Sequence, residues 1–386
     1  IELCHEGFEI NEELYNSLTL HKEELSGQAS GYGFYRDNQP FETGKMIRRP
    51  QLGKTLEFLK KNGLEYFYDS DITKSISSSV NGILSYDDLK NFKAEWKKPL
   101  HSKIYGFDGW TSPPSTQGYL TLSTLKAIEM LGAEHDDLHR VIETYRIFAA
   151  DRDNITYDYG KNIKDFKGVD LDYIQEKIKL FNPNHSEKFD FPKPRGGGTA
   201  YMNTVDKNGL GVSLIQSNFH GIGSRIGVGS LGFFLHNRGC GFNLDSGHPN
   251  YLTPGRKPLH TLSPTIWSKN GNLEFIAGTR GGRYQPQLLI QTILPYIQKS
   301  DSFEEIIKEP RWVIENFSND TLSKLRFEKI NNEDLKILLQ KGHEVEVENK
   351  FNKAYGPISI IYKKNDGNFE GVCDVRVGTE KVFNSF

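Results

Sequence analysis

A layered α/β protein is what the sequence predicts, and two observations carry that prediction. Up to about Asp190, apolar residues recur at spacings of three and four between charged faces, the pattern of amphipathic helices. From Thr199 onward the texture changes to short β-prone runs, TAYMNTVD, GVSLIQS, LGFFLHN and LEFIAGT, separated by Gly-rich turns. Helices outside and strands within is the arrangement that buries both kinds of face.

The elements follow in order. SPPSTQG, Ser112 to Gly118, is a Pro-rich loop that stops whatever precedes it, and Leu125, Ile128 and Leu131 mark the helix after it. Between Asp137 and Asp151 the residues Leu138, Val141, Ile142, Tyr145 and Phe148 fall on one stripe, which reads as core. RGGGTAYMNTVDKNG, Arg195 to Gly209, then enters a strand through three glycines that leave the backbone almost unconstrained. That composition break is either a linker or a chemical feature. Beyond it, helices are predicted from about Pro286 to Gln298 and over NEDLKILLQKG, with Asn332 as N-cap and Gly342 as the stop.

Composition narrows the function classes. The 386 residues are 36% hydrophobic and carry a net charge of −2, with 48 basic against 50 acidic side chains, enough for one large core or two ordinary ones. No dense Lys/Arg run with interleaved aromatics is present to follow a phosphate backbone, so nucleic acid is not an expected partner. Cys4, Cys240 and Cys373 lie far apart without CxxC spacing, which suggests neither a zinc site nor a disulfide framework. No apolar run reaches the length of a membrane span and no HExxH signature occurs, so neither a membrane nor a metal is expected. The start IELCHEGFEI lacks an initiator Met and a signal-like segment, so the expectation is a fragment whose targeting information is missing. Location stays open, with the cytoplasm the favoured alternative.

Two stretches could carry chemistry. A threonine becomes a good nucleophile when its own α-amine serves as base, which at Thr199 requires the Gly198–Thr199 bond to be cut. The flexible Gly196-Gly197-Gly198 approach would let the Thr199 hydroxyl reach the Gly198 carbonyl; the plain alternative is a loop. In FIAGTRGGRYQPQ a strand ends in Gly278 and is followed by Gly281-Gly282 ahead of a helix, so the adjacent N–H groups make either a tight turn or an oxyanion hole. Gly227, Gly229 and Gly232 satisfy G-x-G-x-x-G, yet FFLHNRGCGF follows where a helix should start, which favours a cluster of turns over a dinucleotide site. His220 in SNFHG could be a general base, although a lone His in a Gly-rich loop is more often structural.

Taken as an ordered set, GGGTAYMNTVDKNGLGVSLIQSNFHGIGS, LGFFLHNRGCGF, HPNYLTPGRKPLHTLSPTIW, GTRGGRYQPQ and EPRW resemble the small subunit of the gamma-glutamyltranspeptidase family. Upstream, GILSYDDLKNFKAEWKKPL, SPPSTQG and AADRD resemble its large subunit, so the likeness covers essentially the whole chain. It implies an αββα N-terminal-nucleophile hydrolase that cuts itself before Thr199 into fragments 1–198 and 199–386, which stay associated. It makes Thr199 nucleophile and base, Ser217 the hydroxyl that holds its amine, and Gly281 and Gly282 the oxyanion donors. His260 and Thr261 stand in the place of two serines that contact the donor's carboxylate.

The departures bear on substrate. Gly241, in HNRGCGF, stands where typical transpeptidases carry the aspartate that binds the donor's α-ammonium, and burying an ammonium without its counter-charge costs several kcal/mol, on the order of 3–5 when a partner is removed. Phe219 replaces an asparagine for the same ammonium, with Asn218 one position away. Arg238 and Arg283 bring positive charge that would favour an anionic group on the substrate. HNRGCGF with QPQ is closer to the transferase-like branch that includes acylases. The carboxylate-binding arginine of the family lies upstream of Ile1, and Gly198 departs from the acidic residue often found before the nucleophile. The expected activity is hydrolysis or transfer of a γ-glutamyl-type group from glutathione-like amides to water or an acceptor amine, without metal or organic cofactor. The rivals are an acylase acting on a non-glutamyl amide and an uncleaved scaffold or binding protein; a homo-oligomer is possible.

Overall fold

The computed structural model describes residues 1–189, 198–314, 324–378 and 381–383. Gly196 and Gly197 lie outside the described residues. The chain forms two compact units, Ile1–Trp96 with Asn218–Asn237, and Lys97–Ser217 with Arg238–Phe386. The expected cut before Thr199 falls inside the second unit, so the compact units and the two expected fragments are different divisions of the chain.

The first unit is mostly helical. Pro50–Asn62 starts with proline in its first turn, where no intrahelical donor is lost, and Asp71–Ser79 starts with a capping box between Ser70 and Thr73. Leu59, Ile72, Ile76 and Val228 form one buried cluster of this unit, and Ile10, Leu18, Leu25 and Ile47 another. LGFFLHN is not a strand, contrary to the expectation. Val228 N donates to the Phe233 carbonyl and Leu235 N to that of Ile226, so the run doubles back around a turn and leaves only one isolated bridge, Gly227 to Phe234. Gly229 and Gly232 sit at φ of 46° and 80° in that turn and no helix starts at the last glycine, which disposes of the dinucleotide reading.

The second unit is built on a six-stranded sheet. Its strands are β1 (Leu100–Ile104), β2 (Phe107–Thr111), β5 (Thr265–Lys269), β6 (Asn272–Thr279), β10 (Ile358–Lys363) and β11 (Phe369–Cys373), in the order β11-β10-β6-β5-β2-β1, every neighbouring pair antiparallel. Between β2 and β5 come helices α1 (Tyr119–Leu131) and α2 (Leu138–Ala150) and the hairpin of β3 (Gly198–Val205) and β4 (Gly211–Phe219). Helix α3 (Gln285–Ile297) follows β6. A three-stranded sheet of β7 (Trp312–Ile314), β8 (Lys324–Phe327) and β9 (Glu344–Val347) holds α4 (Asn332–Gln340) between β8 and β9.

Strand alternation assigns the two faces of the large sheet. On β6, Phe275 and Ala277 enter the main core with Leu122, Leu125 and Ile128 of α1 and Leu288 and Leu289 of α3. Ile276 and Gly278 point the other way, to the β3–β4 hairpin: a Cβ on Gly211 would lie 2.6 Å from Ile276 Cδ1, and one on Gly278 would lie 2.0 Å from the Tyr201 ring. Helices therefore cover one face and the hairpin the other. The predicted helices appear as α1, α2, α3 and α4, with one correction: the N-cap of α4 is Asn331, whose Oδ1 accepts from Asp334 N at 2.8 Å, and not Asn332. The helical reading of the first half missed β1 and β2. Their connection, Tyr105-Gly106 at φ of 47° and 81°, is the two-residue hairpin turn with both centres left-handed.

Candidate active site

Thr199 stands at the head of β3, part-exposed, and its Oγ1 donates to Ser217 Oγ on β4 at 3.2 Å. Three contacts fix that strand. Asp206 closes the hairpin by accepting from Asn208 N and Leu210 N, at 2.8 and 2.9 Å. Tyr201 lies on the side-chain-free surface of Gly278 and bonds Ser213 at 2.8 Å, with burial pushing its phenol pKa up. Asn203 Nδ2 donates to the Ser359 carbonyl at 3.1 Å and reaches that of Ile276 at 3.5 Å. Residues 203 and 201 thus sit over 276 and 278 of β6, the strand that leads into Arg280 and the glycines after it.

Those glycines form a turn that only glycine adopts comfortably. Gly281 and Gly282 have φ of 118° and 58°, and Tyr284 N donates to the Gly281 carbonyl as the chain enters α3. The turn is backed by Thr279, whose hydroxyl donates to the Pro357 carbonyl at 2.6 Å, and by Gly356, where a Cβ would lie 2.6 Å from the Arg280 carbonyl oxygen.

His260 and Thr261 come in on a loop held by SPPSTQG. His260 N donates to the Ser115 carbonyl at 2.7 Å, its Nδ1 faces the Pro258 carbonyl, and Thr261 is buried. Arg238 is buried at the start of the single-turn helix Arg238–Gly241, and burial pulls its guanidinium pKa down to about 10. Gly241 is there for a steric reason: a Cβ would lie 2.4 Å from the Leu259 carbonyl oxygen, so the site has no room for a carboxylate-bearing side chain. Arg283 is buried and ion-paired with Asp153 at 3.5 Å, which makes it a poorer anion receptor than expected. Asn218 belongs to the first unit, where it is exposed and its carbonyl accepts from Asn237 N. Phe219 in the same unit is buried at φ 75° and stacks on His220, whose Nδ1 and N–H both meet the Asn237 amide. His220 is therefore structural.

The second unit brings together residues that sequence reasoning had quoted without a role. Gln117, Arg152 and Asp153 form a chain running from the Thr261 and Gly282 carbonyls to Arg283. The signal was there in SPPSTQG and AADRD, but nothing in the spacing says that they meet. A cavity of about 510 Å³ lined by Leu138, Gln291, Trp312, Phe327 and Asp334 includes none of the expected site residues. Among the described residues no group of three or more His, Cys, Asp or Glu could hold a metal ion, and no helix is long and apolar enough to cross a membrane.

Thr199 thus heads a strand with a hydroxyl partner in a mixed α/β unit that also holds a left-handed glycine pair. The comparisons are specific: residues 1–383 match the gamma-glutamyltranspeptidase family model, and the chain belongs to that family. It is 31% identical to the oxamate amidohydrolase proenzyme of Klebsiella pneumoniae and 29% identical to the glutathione hydrolase-like YwrD proenzyme of Bacillus subtilis. Each match covers 86% of this chain and 65% of the relative, so the chain spans about two thirds of these relatives. It shares the fold of the cephalosporin acylase from Bacillus halodurans, with TM-score 0.84 and 24% identity over 97% of this chain and 71% of that one.

Proposed function

We propose that the chain is a self-cleaving amidohydrolase or acyltransferase with Thr199 as nucleophile, and that it has the αββα layering of N-terminal-nucleophile hydrolases. The observation that carries this reading is the hydrogen bond of Thr199 Oγ1 to Ser217 Oγ at the head of a strand whose Tyr201 and Asn203 lie against Gly278 and Ile276, on the strand that runs into the Gly281–Gly282 turn. In maturation, the Thr199 hydroxyl adds to the Gly198 carbonyl, the peptide C–N bond breaks to leave an ester, and water hydrolyses the ester to a Gly198 carboxylate and a free Thr199 amine. That amine, with an ordinary pKa of about 7.7–8.0, takes the proton of its own hydroxyl near neutral pH. The hydroxyl then attacks the substrate amide, the Gly281 and Gly282 N–H groups receive the oxyanion, and the protonated amine gives its proton to the leaving nitrogen. The acyl-threonine ester passes to water or to an acceptor amine.

For substrate, a γ-glutamyl-type or related acyl group with an anionic end fits best, received by the buried Arg238 together with the His260–Thr261 loop. The second reading, an acylase on an acyl group without an α-ammonium, is favoured by the close approach of Gly241 to the Leu259 carbonyl. Relatives named for oxamate and glutathione, and an acylase of the same fold, are compatible with both. Relative kcat/KM on γ-glutamyl-p-nitroanilide and glutaryl-p-nitroanilide separates the two: preference for the first supports the γ-glutamyl reading, preference for the second the acylase. Thr199→Ala is expected to abolish cleavage and amidase activity together, and retention of both would end the proposal.

A further inference from the structure

We propose that Gln117 is a positioning residue that locks the Gly281–Gly282 turn to the Thr261 loop; as a statement about catalysis this rests on the function proposed above. The Gln117 side chain is fully buried. Its Nε2 donates at 2.8 Å to the Thr261 carbonyl and at 2.8 Å to the Gly282 carbonyl, and its Oε1 accepts from Arg152 at 3.2 Å. An amide has two N–H donors and one oxygen, so all are used, and only one orientation of the group satisfies two carbonyls on one side and a guanidinium on the other. No other side chain of that length offers two donors and an acceptor without a charge. Arg152 is itself held, with Nε donating to Asp153 at 2.8 Å, and the other oxygen of Asp153 pairs with Arg283 in the turn.

The neighbourhood explains why this residue carries the lock. The SPPSTQG loop lies directly beneath the substrate loop: His260 N bonds the Ser115 carbonyl, and Thr111 Oγ1 bonds the Pro264 carbonyl at 2.8 Å. Gly118 lets the two ends of the loop close on each other, since a Cβ there would lie 1.9 Å from Thr111 Oγ1. Gln117 is thus the one side chain of the loop that grips two separate segments at once. Gly282, with φ of 58° and no side chain to restrict it, could rotate; anchoring its carbonyl holds the Gly282–Arg283 peptide plane and so the Cα that ends the preceding plane, the one that carries the Gly282 N–H. The lock also joins the two sides of the expected cut, because Gln117 and Arg152 precede Thr199 while Thr261 and Gly282 follow it.

The test uses the matured two-fragment protein with Gln117→Glu, which keeps the shape and replaces both donors by a carboxylate oxygen facing two carbonyls. Gln117→Met, apolar and similar in length, carries the test if that variant does not fold. Hydrogen exchange is expected to rise at least tenfold in peptides covering 258–263 and 278–284 and to stay unchanged in the helix 119–131. On whichever anilide the wild type turns over, kcat is expected to fall at least tenfold with KM within threefold, because the turn acts on the transition state. Lowering the pH to neutralise the introduced carboxyl restores one donor, so activity relative to wild type recovers for Q117E but not for Q117M. Unchanged exchange in the two peptides overturns the lock, as does raised exchange with kcat intact. If the wild type turns over neither anilide, the function proposal fails on its own, and exchange still decides whether Gln117 holds the turn.

Discussion

Thr199 and Ser217 are the pair on which the proposed chemistry rests, and their 3.2 Å contact is a neutral hydrogen bond of ordinary length. Such a bond is worth about 1–1.5 kcal/mol net, so Ser217→Ala is expected to lower kcat roughly five- to tenfold while leaving the melting temperature near that of the wild type. Steady-state kinetics on the anilide that the wild type accepts reads this directly; an unchanged kcat would remove Ser217 from the site. Gly241 makes the opposite kind of prediction. Because any Cβ there meets the Leu259 carbonyl, Gly241→Asp should lower the melting temperature and should not raise kcat/KM on γ-glutamyl-p-nitroanilide. A stable, more active variant would show that the missing aspartate is a simple substitution and not a closed space. The resemblance to the family singled out Thr199, Ser217, Gly281 and Gly282, and the structure shows the first two bonded and the last two in one left-handed turn. The sequence could not show that Arg283 faces Asp153 or that Gly241 abuts a carbonyl, since both depend on segments far apart in the chain.

At the level of elements, β3 carries Thr199 only as accurately as it is docked on β6. Tyr201 over Gly278 is that dock, and Gly278→Ala would force the ring aside at a cost of about 1–3 kcal/mol, as overpacking does. A fall in melting temperature, with part of it recovered by adding Tyr201→Ala, checks the contact. The sequence reading recognised β3, β4 and β6 from their alternation and α1 to α4 from their stripes. It missed β1 and β2, whose short runs are interrupted by a Tyr-Gly turn within a stretch dominated by helical spacing, and it took LGFFLHN for a strand because apolar content alone does not distinguish a strand from a folded-back turn. Helix α2 and the residue before β9 share a further device. His139 Nδ1 meets His343 Nε2 at 2.9 Å, and burial lowers both imidazole pKa values, that of His343 to about 3. Above the unfolded value of about 6.5 both states are neutral and the pair contributes no pH dependence. Below it the unfolded chain binds protons that the fold disfavours, so stability falls, with a slope approaching ~1.4 kcal/mol per pH unit from His343 and a contribution of the same sign from His139. The melting temperature should therefore drop more between pH 7 and pH 5 in the wild type than in His343→Gln, and equal drops would mean that the imidazole is not held neutral.

For the whole molecule, the sequence marks a composition break at Thr199, but that break falls inside the second compact unit and not between the two units. The six-stranded sheet takes β1 and β2 from before the break and β5, β6, β10 and β11 from after it, so a cut there would separate the chain without separating the core. That is the arrangement a self-cleaving precursor requires: β2 pairs with β5 through Asp108 to Thr111, and those hydrogen bonds do not depend on an intact backbone at Gly198. The fragments should consequently co-purify and separate only under denaturing conditions. The most direct test is the intact mass of the purified protein under denaturing conditions, with N-terminal sequencing of each species. The account predicts two chains, one of which begins TAYMNTVD at Thr199, and a single uncut chain for Thr199→Ala. A wild-type protein that stays as one chain after prolonged incubation, or a cut at any other bond, would contradict it.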